Sequence, residues 1–187
     1  MGQKKSKQYK HLQVEHMFTF NVSDYVKDKI ETEAHKQNLK PKSFYPFKYE
    51  FQDLTLGLVP FFDEKMEYTF GDMLIWKAES FGCTTGSKLA SFLLENQDKI
   101  PNTWKRYKLF FPGTIWVDKD RNRFLTVLYY ENNEWKFLFQ SIEGFPAFSQ
   151  SRYVFDCNNI NPPKKLEMGK IIKSEPRSVR FAESYKS

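Results

Sequence analysis

The side chains able to do chemistry fall in a few short stretches of this 187-residue chain. At 81–88, Phe81-Gly82-Cys83-Thr84-Thr85-Gly86-Ser87-Lys88 sets a Gly-rich turn with hydroxyls and a Lys ahead of an apolar run. That is the composition of a loop whose backbone N–H groups cradle phosphate. The spacing fails this chemistry, because three residues rather than four separate the glycines and Ser87 stands where the Lys is needed. Farther on, Asp118 followed by Glu134-Trp135-Lys136 has the order in which two carboxylates hold Mg²⁺ and a Lys helps activate water. In a chain with 28 % charged residues that order arises readily by chance, and Glu134 sits at a turn edge. Neither Cys83 nor Cys157 has a recognisable His partner, and three His without a CxxC pair are too few for structural zinc. No metal or cofactor is expected, and a Mg²⁺-dependent nuclease using Asp118, Glu134 and Lys136 stands only as an alternative.

Binding chemistry has the better claim. Trp104-Lys105-Arg106-Tyr107-Lys108 interleaves basic and aromatic residues. Single-stranded nucleic-acid binders use that mixture, cations on phosphates and rings stacked on bases at roughly 1–3 kcal/mol per base. Arg121, Arg123 and Lys136 extend the same surface, and Lys4, Lys5 and Lys7 supply a basic arm. The competing reading is that Trp104 and Tyr107 anchor a core and the charges make a solvated face.

The elements that must position these groups centre on 104–142. Three runs rich in β-branched and aromatic residues, 109–117, 124–130 and 135–142, are separated by DKDRNR and ENNE, whose Asp and Asn residues tolerate left-handed turn angles. The pattern predicts a three-stranded antiparallel meander, with Trp135, Phe137 and Phe139 on one face and Lys136 and Gln140 on the other. Residues 12–22 alternate as a strand that turns His16 toward the apolar side, and 47–58 alternate as another. Ser23 caps a helix over 24–38 whose stripe is Tyr25, Val26, Ile30 and Ala34. Pro41 and Pro46 bracket a turn, 68–78 reads as either a buried strand or a short helix, and 152–155 adds a last short strand. Gly82 and Gly86 make a turn, and Ser87 caps a helix over 88–99 that Pro101 ends. The expected fold is α+β: an antiparallel sheet of five or six strands built on the 109–142 meander, one face covered by the two helices.

Charge is concentrated away from this centre. Residues 1–11 hold four Lys and no acid, 161–187 hold seven basic residues against three acidic, and 101–136 seven against four, within a net charge of +6. The chain therefore divides into a basic arm at 1–10, one domain at 11–157, and a basic, Pro-containing tail at 158–187. Gly2 with Ser6 fits the N-myristoylation pattern, so a membrane is an expected partner only if Gly2 is acylated. In the tail, Arg177-Ser178-Val179-Arg180-Phe181 resembles the basic-Val-x-Phe motif by which regulatory subunits dock on protein phosphatase-1, a resemblance carried by five residues. The basic N-terminus lacks an apolar signal core, which favours an intracellular, cytoplasmic setting over secretion. The function expected is a non-catalytic binding protein that engages nucleic acid or an acidic protein surface through arm, tail and meander edge. An assembly component whose tails dock on partner subunits is the second reading.

Overall fold

The computed structural model describes residues 14–21, 28–43, 53–60, 71–143 and 150–157. The basic arm with Lys4, Lys5 and Lys7, the Gly2 pattern, the Ser23 cap, Pro46, and the 158–187 tail lie outside the described residues. Among the described residues, seven strands and three α-helices follow one another as β1 (Glu15–Asn21), α1 (Lys29–Lys36), β2 (Lys40–Ser43), β3 (Asp53–Pro60), α2 (Gly71–Ser80), α3 (Ser87–Glu95), β4 (Lys108–Val117), β5 (Arg123–Glu131), β6 (Glu134–Ser141) and β7 (Ser151–Asp156). The architecture is α+β. Strand order is β1-β3-β7-β4-β5-β6, with β2 paired to the far half of β4.

The sheet is mixed, not purely antiparallel. β7 runs parallel to β4 over Lys108↔Ser151 to Phe110↔Tyr153, and β2 runs antiparallel to the same side of β4 over Thr114 to Val117. Two strands share one edge because β4 is broken in the middle. Its register with β5 passes from Phe111↔Thr126 directly to Ile115↔Leu125, leaving residues 112–114 without a partner there. Pro112 lacks an N–H, so a bulge is where a Pro fits within a central strand. Gly113 donates its N–H to the Thr85 carbonyl at 2.8 Å, and a Cβ there would fall on the Thr84 carbonyl oxygen. The bulge is thus the seat against which the 83–86 loop lies.

Alternating side chains build a core on each face. On one, Leu54, Leu56, Leu58, Leu109, Phe111, Trp116, Leu128 and Val154 pack with Ile30 and Ala34 of α1 and Leu89, Phe92 and Leu93 of α3. On the other, Val59, Phe110, Ile115, Leu125, Val127, Tyr153 and Phe155 pack with Leu74, Ile75 and Ala78 of α2. Residues 71–80 are therefore a helix, and it covers the face opposite α1 and α3. Tyr153 closes that layer by donating its hydroxyl to the Leu74 carbonyl.

Several boundaries move for local reasons. α1 begins at Lys29, after Asp28, whose carboxylate accepts from the Glu31 N–H at 2.9 Å and from the Ser87 and Ser91 hydroxyls at 2.8 and 2.7 Å. One N-cap side chain thereby ties α1 to α3. α3 ends at Glu95 and a separate 3₁₀ turn follows at Gln97–Lys99. Ser87 is its first residue rather than its cap; Gly86 holds the cap position and the Ser87 N–H donates to Thr114 Oγ1 at 3.1 Å. Pro41 lies in β2, not in a turn. In β1 the register slips between Glu15 and Phe18, and His16 takes φ 49°. That bulge puts Val14 against the α2-side core and Phe18 against the other, so these two do not share one alternating face as expected.

Candidate anion-binding surface

Residues 104–108 enter β4 through a 3₁₀ turn at Asn102–Trp104, and the turn hangs on two buried rings. Trp104 is fully buried; its indole N–H donates to the His16 carbonyl at 2.9 Å and its ring meets Phe18 edge-on at 4.8 Å. The positive φ of His16 marks the β1 bulge, and the His16 carbonyl is where the indole lands. Tyr107 is buried as well, with the guanidinium of Arg106 at 4.7 Å and that of Arg152 at 4.4 Å from its ring. Neither aromatic is a platform for a base. They are anchors, and the part of the expectation that stacks bases on Trp104 and Tyr107 is overturned by their burial.

Ion pairing divides the basic residues into two sets. Arg123 reaches Glu143 and Asp72, its guanidinium held in the charged form first by the Glu143 hydrogen bonds and then by Asp72. Lys136 lies 3.4 Å from both Glu131 and Glu134; desolvation lowers its pKa, but the hydrogen bonds to those two carboxylates outweigh it and the net shift is upward. Arg152 pairs with Glu15 at 3.2 Å. Lys105, Arg106 and Lys108 have no carboxylate partner among the described residues. The Lys105 ammonium sits 4.4 Å over the Tyr130 ring, and Arg106 donates toward His16 Nε2 at 3.1 Å. Since a guanidinium only donates, that bond requires the neutral imidazole with its proton on Nδ1.

The expected single surface does not form. Arg121 and Arg123 lie beyond the C-terminal end of β4, whereas 104–107 precede its start, and ten strand residues span roughly 30 Å. Arg121 is exposed in the β4–β5 turn at φ 67°, without a carboxylate partner among the described residues. Lys136 lies nearer the 104–108 end, but its charge is taken up internally.

The nuclease constellation fails on the same geometry. Asp118 precedes β5 and Glu134 follows it, so the nine residues of that strand hold them roughly 27 Å apart. Asp118 is a turn residue: its carboxylate accepts from the Asn122 side-chain amide at 2.8 Å and from the backbone N–H of Asn122 and Asp120 at 2.8 and 2.9 Å. Those bonds, the Asn122 amide first, hold its carboxyl below the usual range. Among the described residues no group of three or more His, Cys, Asp or Glu converges as metal ligands. The 81–88 loop carries no site either, since the α3 N-terminus is occupied by Thr114 and the Asp28 carboxylate stands beside it. Burial pushes the Cys83 thiol well up, with the Cys157 charge adding to it, and pushes Cys157 up to about 11.

What the sequence did not signal is the split between paired and unpaired cations. Arg123 finds Asp72 across 51 positions and Arg152 finds Glu15 across 137, so only the fold reveals which charges remain outward. No helix among the described residues is long and apolar enough to cross a membrane. Comparison with known proteins finds no matching family, no matching curated protein and no matching solved structure.

Proposed function

We propose that this protein is a non-catalytic binder of anionic partners, nucleic acid foremost, which it engages by charge through Lys105, Arg106 and Lys108. One observation carries the reading: three neighbouring cations without a carboxylate partner among the described residues stand where the chain enters β4, on a segment fixed by the burial of Trp104 and Tyr107. Burial of the rings leaves contact with phosphates as the mode, so recognition is independent of base identity. Lys4, Lys5 and Lys7 add to it if the arm lies along the same strand.

Fluorescence anisotropy against labelled duplex and single-stranded DNA and RNA tests the proposal. Three phosphate contacts correspond to a log–log salt slope of about −2.7 on duplex DNA, a loss of roughly 40-fold in affinity between about 50 and 200 mM salt. The combined Lys105→Ala, Arg106→Ala, Lys108→Ala variant should flatten the slope by that amount. Salt-independent binding, an unchanged slope in the variant, or no binding at either salt overturns the reading.

A further inference from the structure

Among the described residues β6 forms one edge of the sheet, and part of its outer backbone is unpaired. The Ile142 N–H donates to the Arg123 carbonyl at 3.1 Å, continuing the β5–β6 ladder in the phase that turns the even-numbered backbone groups of β6 toward β5. The N–H and C=O of Trp135, Phe137, Phe139 and Ser141 therefore point outward. At Trp135 the edge is already closed: Gln97 donates its amide N–H to the Trp135 carbonyl at 3.2 Å and accepts the Trp135 N–H at 2.7 Å, the two bonds a neighbouring strand would make. Phe137 and Phe139 have no such partner among the described residues, and the Ser141 carbonyl meets only Gln140 Nε2 at 3.5 Å. Alongside them runs a groove of about 850 Å³, floored by Phe137 and Phe139 and walled by Thr32, Glu33 and Lys36 of α1.

Edge strands are normally guarded by Pro, a bulge or an outward Lys. β1, at the other edge, has its bulge at His16. β6 has neither Pro nor bulge, its register with β5 is unbroken over eight pairs, and its one Lys is drawn onto Glu131 and Glu134. We propose that the occupant is a second copy of this chain, its β6 pairing antiparallel with this one about a two-fold axis at Phe139. The open window, 137–141, has Phe139 at its centre, and Gln97 stops the strand from sliding further. In that register Phe137 pairs with Ser141 of the second copy and Phe139 with its own equivalent. The paired window contains no charge, and Lys136 falls opposite Ile142 rather than another Lys. The groove wall is charge-balanced within itself, since Lys36 pairs with Glu33 at 2.9 Å, so a two-fold mate brings no like charges against an uncompensated one. Such an isologous contact removes the edge from both copies and closes at a dimer.

Sedimentation of the full chain over a concentration series tests this, with a concentration-dependent dimer as the expected result. Ser141→Pro deletes an outward N–H and no β5 bond, and Thr32→Arg narrows the groove from an exposed helix position; each should weaken dimerisation at least tenfold with the far-ultraviolet circular dichroism unchanged. Register is read by mild oxidation. At a two-fold centre facing Cα atoms lie about 5.5 Å apart, within disulfide reach, so Phe139→Cys should cross-link copies and Phe137→Cys should not. A monomer up to about 100 μM, oligomers larger than a dimer, or a dimer indifferent to both Ser141→Pro and Thr32→Arg overturns the proposal.

Discussion

Trp104 is satisfied in both parts of its chemistry, the ring buried against Phe18 and the N–H bonded to a carbonyl. Its sequence context, aromatic between basic residues, suits a base-stacking site equally well, and nothing local distinguishes the two. What decides is the β1 bulge, 88 residues away, which offers the His16 carbonyl. Replacing Trp104 with Ala should cost about 3–5 kcal/mol in urea unfolding, the range for a large buried aromatic. Arg106→Ala should leave stability within about 0.5 kcal/mol, as exposed surface substitutions do, while reducing the salt slope of binding. Asp118 yields a prediction of opposite kind, about protons. Its carboxyl is held charged by donors from Asn122 and Asp120, so its contribution to the turn is present above pH 3.8 and is lost as pH falls through the lower folded value. A carboxyl-carbon titration by NMR should place its midpoint below 3.8, and Asn122→Ala should move it back up; a midpoint at or above 3.8 in the unmodified protein would refute the turn assignment.

Elements with strong local periodicity are legible from sequence. The alternation of Trp135, Phe137 and Phe139 against Lys136 and Gln140 reads as β6, and the Asn132-Asn133 pair, both at positive φ, provides the tight turn that two-residue hairpins require. The α+β class follows from such patterns, as does the stripe of α3. α2 is ambiguous because Met73, Leu74, Ile75 and Trp76 form a continuous apolar run; only packing shows Leu74 and Ile75 buried with Met73 and Trp76 outward. The break in β4, against which the 83–86 loop docks, and the parallel pairing of β4 with β7 have no periodic signal, since both join segments far apart in the chain. Gly113 is the residue that permits the docking, and it gives a test at this scale. A Cβ there meets backbone atoms of Thr84 and Thr85, which cannot rotate aside as a side chain can. Gly113→Ala should destabilise at the upper end of about 1–3 kcal/mol, the range for overpacking a tight core, and should weaken hydrogen-exchange protection of its own N–H, which donates to Thr85. Gly57→Ala is a useful contrast, because there the nearest atoms are side chains of Val14 and Met17.

At the scale of the whole molecule, the two cores share their strands. Phe110 and Phe111 are neighbours in β4 yet belong to opposite cores, as do Val127 and Leu128 in β5 and Val154 and Phe155 in β7. Loss of packing on one face therefore loosens the strands that carry the other, and the described domain should unfold in one step. The two faces carry separate reporters. Trp104, Trp116 and Trp135 sit on the α1/α3 side, and Cys83 on the α2 side, its thiol kept protonated by burial. Near pH 8 the folded thiol should resist alkylation and the unfolded one should react, because the thiolate is the nucleophile. In a urea series on a Trp76→Phe, Cys157→Ser background, which removes the tryptophan of α2 and the second free thiol, tryptophan fluorescence and the rate of Cys83 alkylation should pass through the same midpoint. An alkylation midpoint below the fluorescence one would mean that α2 leaves the sheet on its own and that the two cores are separate cooperative units. The raised thiols also set an alkaline limit. The fold holds protons that the unfolded chain gives up near pH 9, so this part of its stability is intact below pH 9 and drains away as pH rises toward about 11, the value for Cys157. Cys157→Ser, at a half-buried position, should remove its own share of that slope and leave the share of the more deeply buried Cys83, with the urea midpoint at pH 7 little changed; a slope between pH 9 and 11 that survives both Cys157→Ser and Cys83→Ser would assign the alkaline loss to the lysines and tyrosines instead.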